Sequence, residues 1–106
     1  MKIVAVTACP TGIAHTYMAA EKLEQCARRL GHQIKVETQG AIGIENPLAP
    51  EDIAAADAAV FAADIAIEAE ERFARLPRVA VGVQEVLRNP DGVFKKIADA
   101  IGKNKK

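Results

Sequence analysis

The rhythm of apolar and polar positions changes in a regular order along the chain. Residues 2–7 form a β-branched run, the pattern of a strand covered on both faces. Over 14–30, Ala19, Leu23, Cys26, Ala27 and Leu30 recur at helical spacing, and Glu21, Lys22, Gln25, Arg28 and Arg29 take the opposite face. Gly31 supplies a stop. Residues 33–38 predict a second strand through Ile34 and Val36, which the glycines of Gln39-Gly40-Ala41-Ile42-Gly43 interrupt. Pro50, Glu51 and Asp52 open a helix to about residue 56, with a first-position proline and first-turn acids. Ala49 has no side chain that caps such a start, so fraying is expected there.

Residues 58–63 predict a third strand, 68–75 a short charged helix, 78–81 a fourth strand and 84–87 a helical turn. Segment 64–67 fits neither period. Asn89-Pro90-Asp91 caps a last helix to residue 101, with Phe94, Ile97, Ala98 and Ile101 as its apolar face and Gly102 as its stop. Residues 1–102 therefore read as one domain, and 103–106 as a basic tail or linker stub. Strands joined by helical crossovers run parallel, and right-handed connection leaves few topologies. The expectation is an α/β fold: an open four-stranded parallel sheet, order 2-1-3-4, with helices on both faces. That order puts the loop after the first strand at the switch point, where open α/β sheets bind ligands.

Composition narrows the picture. The chain has 106 residues, half of them hydrophobic but only 4% aromatic, so its core rests on Ala, Val, Ile and Leu. Fourteen basic residues balance fourteen acidic ones, which leaves no global field to recruit nucleic acid or an anionic membrane. No apolar run approaches the roughly 20 residues that span a bilayer. With the first strand beginning at residue 2, no signal peptide is expected, and the two cysteines read as reduced cytosolic thiols. Cys26 lies about 18 Å along the first helix at ~1.5 Å per residue, too far to bridge to Cys9.

The chemistry concentrates in Ala8-Cys9-Pro10-Thr11-Gly12-Ile13-Ala14-His15-Thr16, between the first strand and the first helix. Gly12 lets backbone N–H groups turn inward, the helix offers free N–H groups at its positive end, and Thr11 and Thr16 add hydroxyls. The loop is an anion nest with a thiol at its rim and no Lys or Arg. A free cysteine of pKa ~8.5 is only a few per cent thiolate at neutral pH. The helix end contributes about 0.3–1 kcal/mol, less than one pKa unit, so amide hydrogen bonds to sulfur must supply the rest if Cys9 is a thiolate. A buried, inert Cys9 is the competing reading.

This stretch, from Lys2 to Thr16, resembles the start of the fructose-family enzyme IIB domain of the bacterial phosphoenolpyruvate-dependent sugar phosphotransferase system. Val36-Glu37-Thr38-Gln39-Gly40, Gly43-Ile44-Glu45-Asn46 and Ala62-Ala63-Asp64 fit the same family, and Ala49 departs from it where a capping residue is usual. The resemblance implies that Cys9 accepts a phosphoryl group from a phosphohistidine of enzyme IIA. It then passes the group to a sugar, most commonly fructose giving fructose 1-phosphate, held in the membrane enzyme IIC. It implies no metal or other cofactor, no nucleic acid and no direct membrane insertion. It also implies a cytoplasmic protein that meets the inner membrane through enzyme IIC and is a monomer in isolation.

Pro10, Thr11, Gly12, Ile13, Ala14, His15 and Thr16 would surround the phosphate. His15 stands where a Cys-x5-Arg phosphatase has its clamping arginine, which argues for transfer over hydrolysis. A phosphoryl dianion on Cys9 would favour the imidazolium form of His15, although a neutral surface histidine fits the free protein as well. Tyr17 and Met18, with Ile13, are candidate partner contacts or ordinary helix-start packing. Gln39 and Gly40, at the end of the second strand, support the residues around the phosphate from behind, face a partner or shape a turn. Asp64, after the third, is a phosphatase-type acid or a cap.

Cys26 and His32 repeat the spacing of Cys9 and His15, but a helix holds the pairs too far apart for a metal. Glu68, Glu70, Glu71, Arg72 and Arg75 read as a solvated helix face. A low-molecular-weight cysteine phosphatase or arsenate reductase, and a regulatory phosphocysteine module, are the alternatives.

Overall fold

The computed structural model describes residues 2–8, 13–40 and 43–104. Along them run β1 (Lys2–Ala8), α1 (Ile13–Arg29), β2 (Gln33–Gly40), β3 (Gly43–Glu45), α2 (Pro50–Ala55), β4 (Ala58–Ala63), a 3-10 turn (Glu70–Phe73), β5 (Arg78–Val81), α3 (Val83–Arg88) and α4 (Pro90–Asn104). The sheet order is β3-β2-β1-β4-β5. β1 pairs in parallel with β2 (Ala8 opposite Gln39) and with β4 (Ala8 opposite Ala63), and β4 pairs in parallel with β5.

The four expected parallel strands are therefore present in the expected order, and a fifth joins their outer edge. Gly40 pairs with Gly43 and Thr38 with Glu45, so β3 folds back antiparallel on β2. Gly43 sits at φ +107°, a conformation that only glycine adopts without strain. The two glycines that look like a break in the sequence are the two inner ends of a hairpin.

β1 is central and covered on both sides, which is why its run of Ile, Val and Ala is uninterrupted. Ile3 and Ala5 face one layer with Ala19, Leu23 and Ala27 of α1, Val83 and Val86 of α3, and Val93, Phe94 and Ile97 of α4. Val4 and Val6 face the other with Leu48, Ala59, Phe61 and Phe73. The second layer has a thinner cover, six residues of α2 and the 3-10 turn. Phe73 is fully buried there, its ring edge-on to Phe61 at 5.1 Å between centroids.

Several local expectations need correction. The charged segment after β4 forms only one 3-10 turn rather than a helix over 68–75, because Phe73 and Arg72 turn inward. Leu30 lies past the end of α1 and is exposed, since Gly31 at φ +81° turns the chain away. On α4, Val93 is buried and Ala98 faces solvent. That helix continues through Gly102 to Asn104; a single helical glycine costs only about 1 kcal/mol relative to alanine. At α2 the missing side-chain cap is offset from within the helix. Asp52 Oδ2 accepts the Ala49 N–H at 3.2 Å, and Asp52 Oδ1 is bound by Lys35 Nζ at 2.9 Å.

Candidate active site

The carboxyl edge of the sheet collects the ends of β1, β2 and β4, the hairpin to β3 and the start of α1. Cys9, Pro10, Thr11 and Gly12 lie outside the described residues, as do the side chains of Ile13 and Ala14. Ala8, immediately before Cys9, ends β1. Its carbonyl accepts the Asp64 N–H at 3.1 Å, which carries the β1–β4 ladder one residue past Ala63. Across the sheet, Ala8 stands opposite Gln39.

α1 starts over this edge. His15 is exposed in its first turn. Thr16 is buried, and its carbonyl accepts a hydrogen bond from Thr7 Oγ1 at 3.2 Å. Thr38 lies opposite Thr7 on β2 and is buried as well. Among the described residues neither Thr16 Oγ1 nor Thr38 Oγ1 has a hydrogen-bond partner, an uncommon state for buried hydroxyls. Both can therefore serve a ligand or water brought to this edge. Thr38 was not among the sequence candidates; its position in register with Thr7 is what singles it out.

On the opposite face of β2, Glu37 is completely buried. Its Oε1 accepts from Arg72 Nη1 at 2.9 Å and from the Leu48 N–H at 2.9 Å. Its Oε2 accepts from Arg72 Nη2 at 2.9 Å and from Gln39 Nε2 at 2.8 Å. The two carboxylate oxygens thus take four bonds, two of them the parallel fork of a guanidinium. Arg72, read from the charge run as solvent-facing, is in fact the counter-ion of a buried glutamate. Sequence periodicity did carry a signal: alternation along β2 puts Glu37 on the face that buries Val4 and Val6.

Gln39 does more than bond Glu37. Its Nε2 donates to the Glu68 carbonyl at 3.2 Å, and its Oε1 accepts the Glu68 N–H at 2.8 Å. The segment 64–69 thereby leaves β4, crosses the end of β1 and is fastened to β2. Ile67 packs inward against Val4 and Val6, and Ile65 points out. Asp64, besides holding Ala8, accepts the Val83 N–H through Oδ1 at 3.3 Å, so its carboxylate caps α3. A Cβ on Gly82 would stand 3.2 Å from that oxygen, so glycine there leaves room for the cap. Gly40 belongs to β2 and opens the hairpin.

Tyr17, Met18, Ile44 and Ile65, each 39–48% exposed, all lie on elements that meet at this edge. Among the described residues no group of three His, Cys, Asp or Glu side chains is placed to hold a metal, and no helix is long and apolar enough to cross a membrane. His32 stacks on Phe94, 6.0 Å between ring centroids. Cys26 is a free thiol buried under α4, and it donates to Asp91 Oδ1 at 3.0 Å. Burial and the Asp91 carboxylate push its pKa up to about 11.

Fold and edge together define an open, mostly parallel α/β domain whose candidate site lies at the carboxyl ends of its central strands. A family model described as the lactose/cellobiose-specific IIB subunit of the PTS system matches residues 4–96. A PTS system fructose-like EIIB component 2 of Escherichia coli (strain K12) is 52% identical over 96 residues, 91% of each chain. The crystal structure titled as a predicted fructose-specific IIB from Escherichia coli superposes with a TM-score of 0.89 at 43% identity, covering 93% of this chain and 88% of that one. A fructose-like PTS system EIIBC component of Escherichia coli (strain K12) is 48% identical over 99 residues, 92% of this chain but 20% of that protein. The chain belongs to the PTS IIB family, and its role is phosphotransfer in sugar uptake.

Two outcomes follow from the side-chain chemistry. Burial pushes the Glu37 carboxyl up, but bonds from Arg72, Gln39 and the Leu48 N–H outweigh it and hold the group below its ordinary range. A carboxyl depressed on folding stabilises above its unfolded value of about 4.3 and loses that contribution as pH falls further. Wild type should lose stability more steeply than Glu37→Gln below about pH 4, read from urea midpoints across pH; parallel curves would contradict the pair's role. For Cys26, a thiol held protonated to about pH 11 should escape iodoacetamide at pH 8 in the folded protein and react only on unfolding, as mapped by peptide mass spectrometry. Labelling of Cys26 in the folded state would contradict this.

Proposed function

We propose that Cys9 is the phosphoryl carrier of this IIB domain. A thiolate at Cys9 attacks the phosphorus of a phosphohistidine on enzyme IIA; the P–N bond breaks, the S–P bond forms, and the histidine is released unmodified. A sugar hydroxyl then attacks the same phosphorus, the S–P bond breaks, the thiolate returns and the hydroxyl proton leaves to solvent. With fructose bound in enzyme IIC the product is fructose 1-phosphate, in keeping with the fructose-like names of the relatives at 48–52% identity.

The observation that carries this reading is the place of Ala8. It ends the central strand at the edge where α1 begins, so the next residue, Cys9, enters at the switch point of a IIB fold. Pro10, Thr11, Gly12, Ile13 and Ala14 with His15 and Thr16 form the phosphate nest in this account, supplied by backbone N–H groups and the start of α1. Thr16 offers a buried hydroxyl that has no partner among the described residues. Phosphoryl transfer needs in-line placement and charge stabilisation, and the partner proteins complete both, since residues 9–16 include no arginine.

Tyr17, Met18, Ile44 and Ile65 are the apolar contacts that enzymes IIA and IIC use in turn. Enzyme IIC is named as the membrane partner because the EIIBC relative carries a counterpart of this chain within one longer protein. The carrier acts on the cytoplasmic side of the inner membrane, is a monomer when free, and uses no cofactor.

Incubation with phosphorylated enzyme IIA should add one phosphoryl group, seen by intact-mass spectrometry and mapped to Cys9. Cys9→Ser should abolish the adduct and Cys26→Ser should retain it. Membranes bearing enzyme IIC and fructose should discharge it to fructose 1-phosphate. An adduct elsewhere, or one that survives Cys9→Ser, would overturn the proposal; discharge to water alone would favour a phosphatase.

A further inference from the structure

We propose that Gln39 is a positioning residue for Cys9, acting through the strap of residues 64–69 that crosses the carboxyl end of β1. The inference rests on the phosphocysteine reading above. The strap leaves β4 on one side of β1 and is fastened to β2 on the other, so it must pass over the end of the strand that leads to Cys9.

Its near end holds the chain just before the nucleophile: the Asp64 N–H donates to the carbonyl of Ala8 at 3.1 Å. Its far end is held mainly by the Gln39 side chain, with Arg72 Nη2 adding a longer bond to the Glu68 carbonyl at 3.4 Å. The Gln39 amide donates to the Glu68 carbonyl and accepts the Glu68 N–H, the way one peptide group pairs with another. Gln39 Nε2 is in turn oriented by Glu37 Oε2 at 2.8 Å, which settles which end of the amide is donor.

Beyond Glu68 the chain turns at Ala69, φ +57° and ψ +39°, a backbone region that favours glycine. Arg72 Nε bonds the Ala69 carbonyl at 2.9 Å and keeps that turn in place. Between the ends, Ile67 is seated against the core under β1. The strap is therefore fixed at Asp64, Ile67, Glu68 and Ala69, with Ala8 bonded at one terminus and Gln39 near the other.

A reacting atom displaced by ~1 Å loses up to about a hundredfold in rate, so a bond network that sets the Ala8 carbonyl has leverage on Cys9. Without the amide, the Glu68 N–H loses its acceptor and only the Arg72 bonds remain at the far end, so the strap loosens and the Asp64–Ala8 bond follows it. Donor docking, which uses the exposed outer face of the edge, is left unchanged.

The test compares wild type with Gln39→Met, which keeps the length and removes the amide, after circular dichroism has shown both folded. Hydrogen exchange at the Glu68 N–H and rapid-quench phosphorylation by a phosphohistidine donor are measured on both. The expected result is exchange at Glu68 faster by about tenfold or more, with the maximal rate per folded molecule down about tenfold and the half-saturating donor concentration within about twofold. Gln39→Asn, one methylene too short to span to Glu68, should give the same pattern and serves if the Met variant does not fold.

A purely structural Gln39 would lower the melting temperature and leave the maximal rate unchanged, which overturns the proposal. So does a rise in half-saturating donor concentration alone. If wild type itself accepts no phosphoryl group at Cys9, the functional reading falls and this proposal with it. If wild type accepts and the variants match it, only this proposal falls.

Discussion

A carboxylate with no exposed surface, Glu37, sets the shape of the carboxyl edge. Removing one charge of a buried pair costs about 3–5 kcal/mol, because the partner is left uncompensated in a poorly polarisable interior. Glu37 avoids that cost only while Arg72, Gln39 and the Leu48 N–H all bond to it. Each of those donors comes from a different part of the chain: the 3-10 turn, the end of β2 and the approach to α2. Satisfying one carboxylate therefore fixes three segments relative to one another. The thin layer over Val4 and Val6 is held by this charged network as well as by Leu48 and Phe73.

This arrangement separates two jobs that the α/β fold often merges. The layer with α1, α3 and α4 is an apolar core, close-packed through Ala19, Ala27 and the valines. It carries α1, the helix that follows residues 9–12 along the chain. The opposite layer is a polar framework, and it governs the chain on the far side of β1. The two meet at Ala8, whose strand neighbours are Gln39 on β2 and Ala63 on β4. A site at that junction gains a floor from the sheet and a wall from the strap.

Much of the fold was legible because hydrophobic periodicity is a local property. The buried run of β1, the spacing in α1 and the Pro50 and Pro90 helix starts each announce themselves within a few residues. The proposed Cys9 site rests on the same kind of local signal: Gly12, the threonines and His15 are adjacent in sequence. What was not legible depends on contacts between distant positions. Arg72 belongs to a run of charges and looks solvated until Glu37, 35 residues away, is placed beneath it. β3 is three residues long and exists only because β2 offers it an edge. Asp64 is assigned by Val83, and Thr38 by Thr7, neither a neighbour along the chain. Sequence proximity points to where the proposed chemistry lies; tertiary pairing shows which polar residues hold that edge together.

The most direct test of this account is the unfolding free energy of Arg72→Met, which keeps an aliphatic stem over Phe73 and removes the charge. With Glu37 left buried and unpaired, urea denaturation at pH 7 should show a loss of about 3 kcal/mol, and the Leu48 and Glu68 amides should lose much of their hydrogen-exchange protection. A change within about 0.5 kcal/mol, the range of an ordinary surface substitution, with both amides still protected, would show that the edge does not depend on this ion pair.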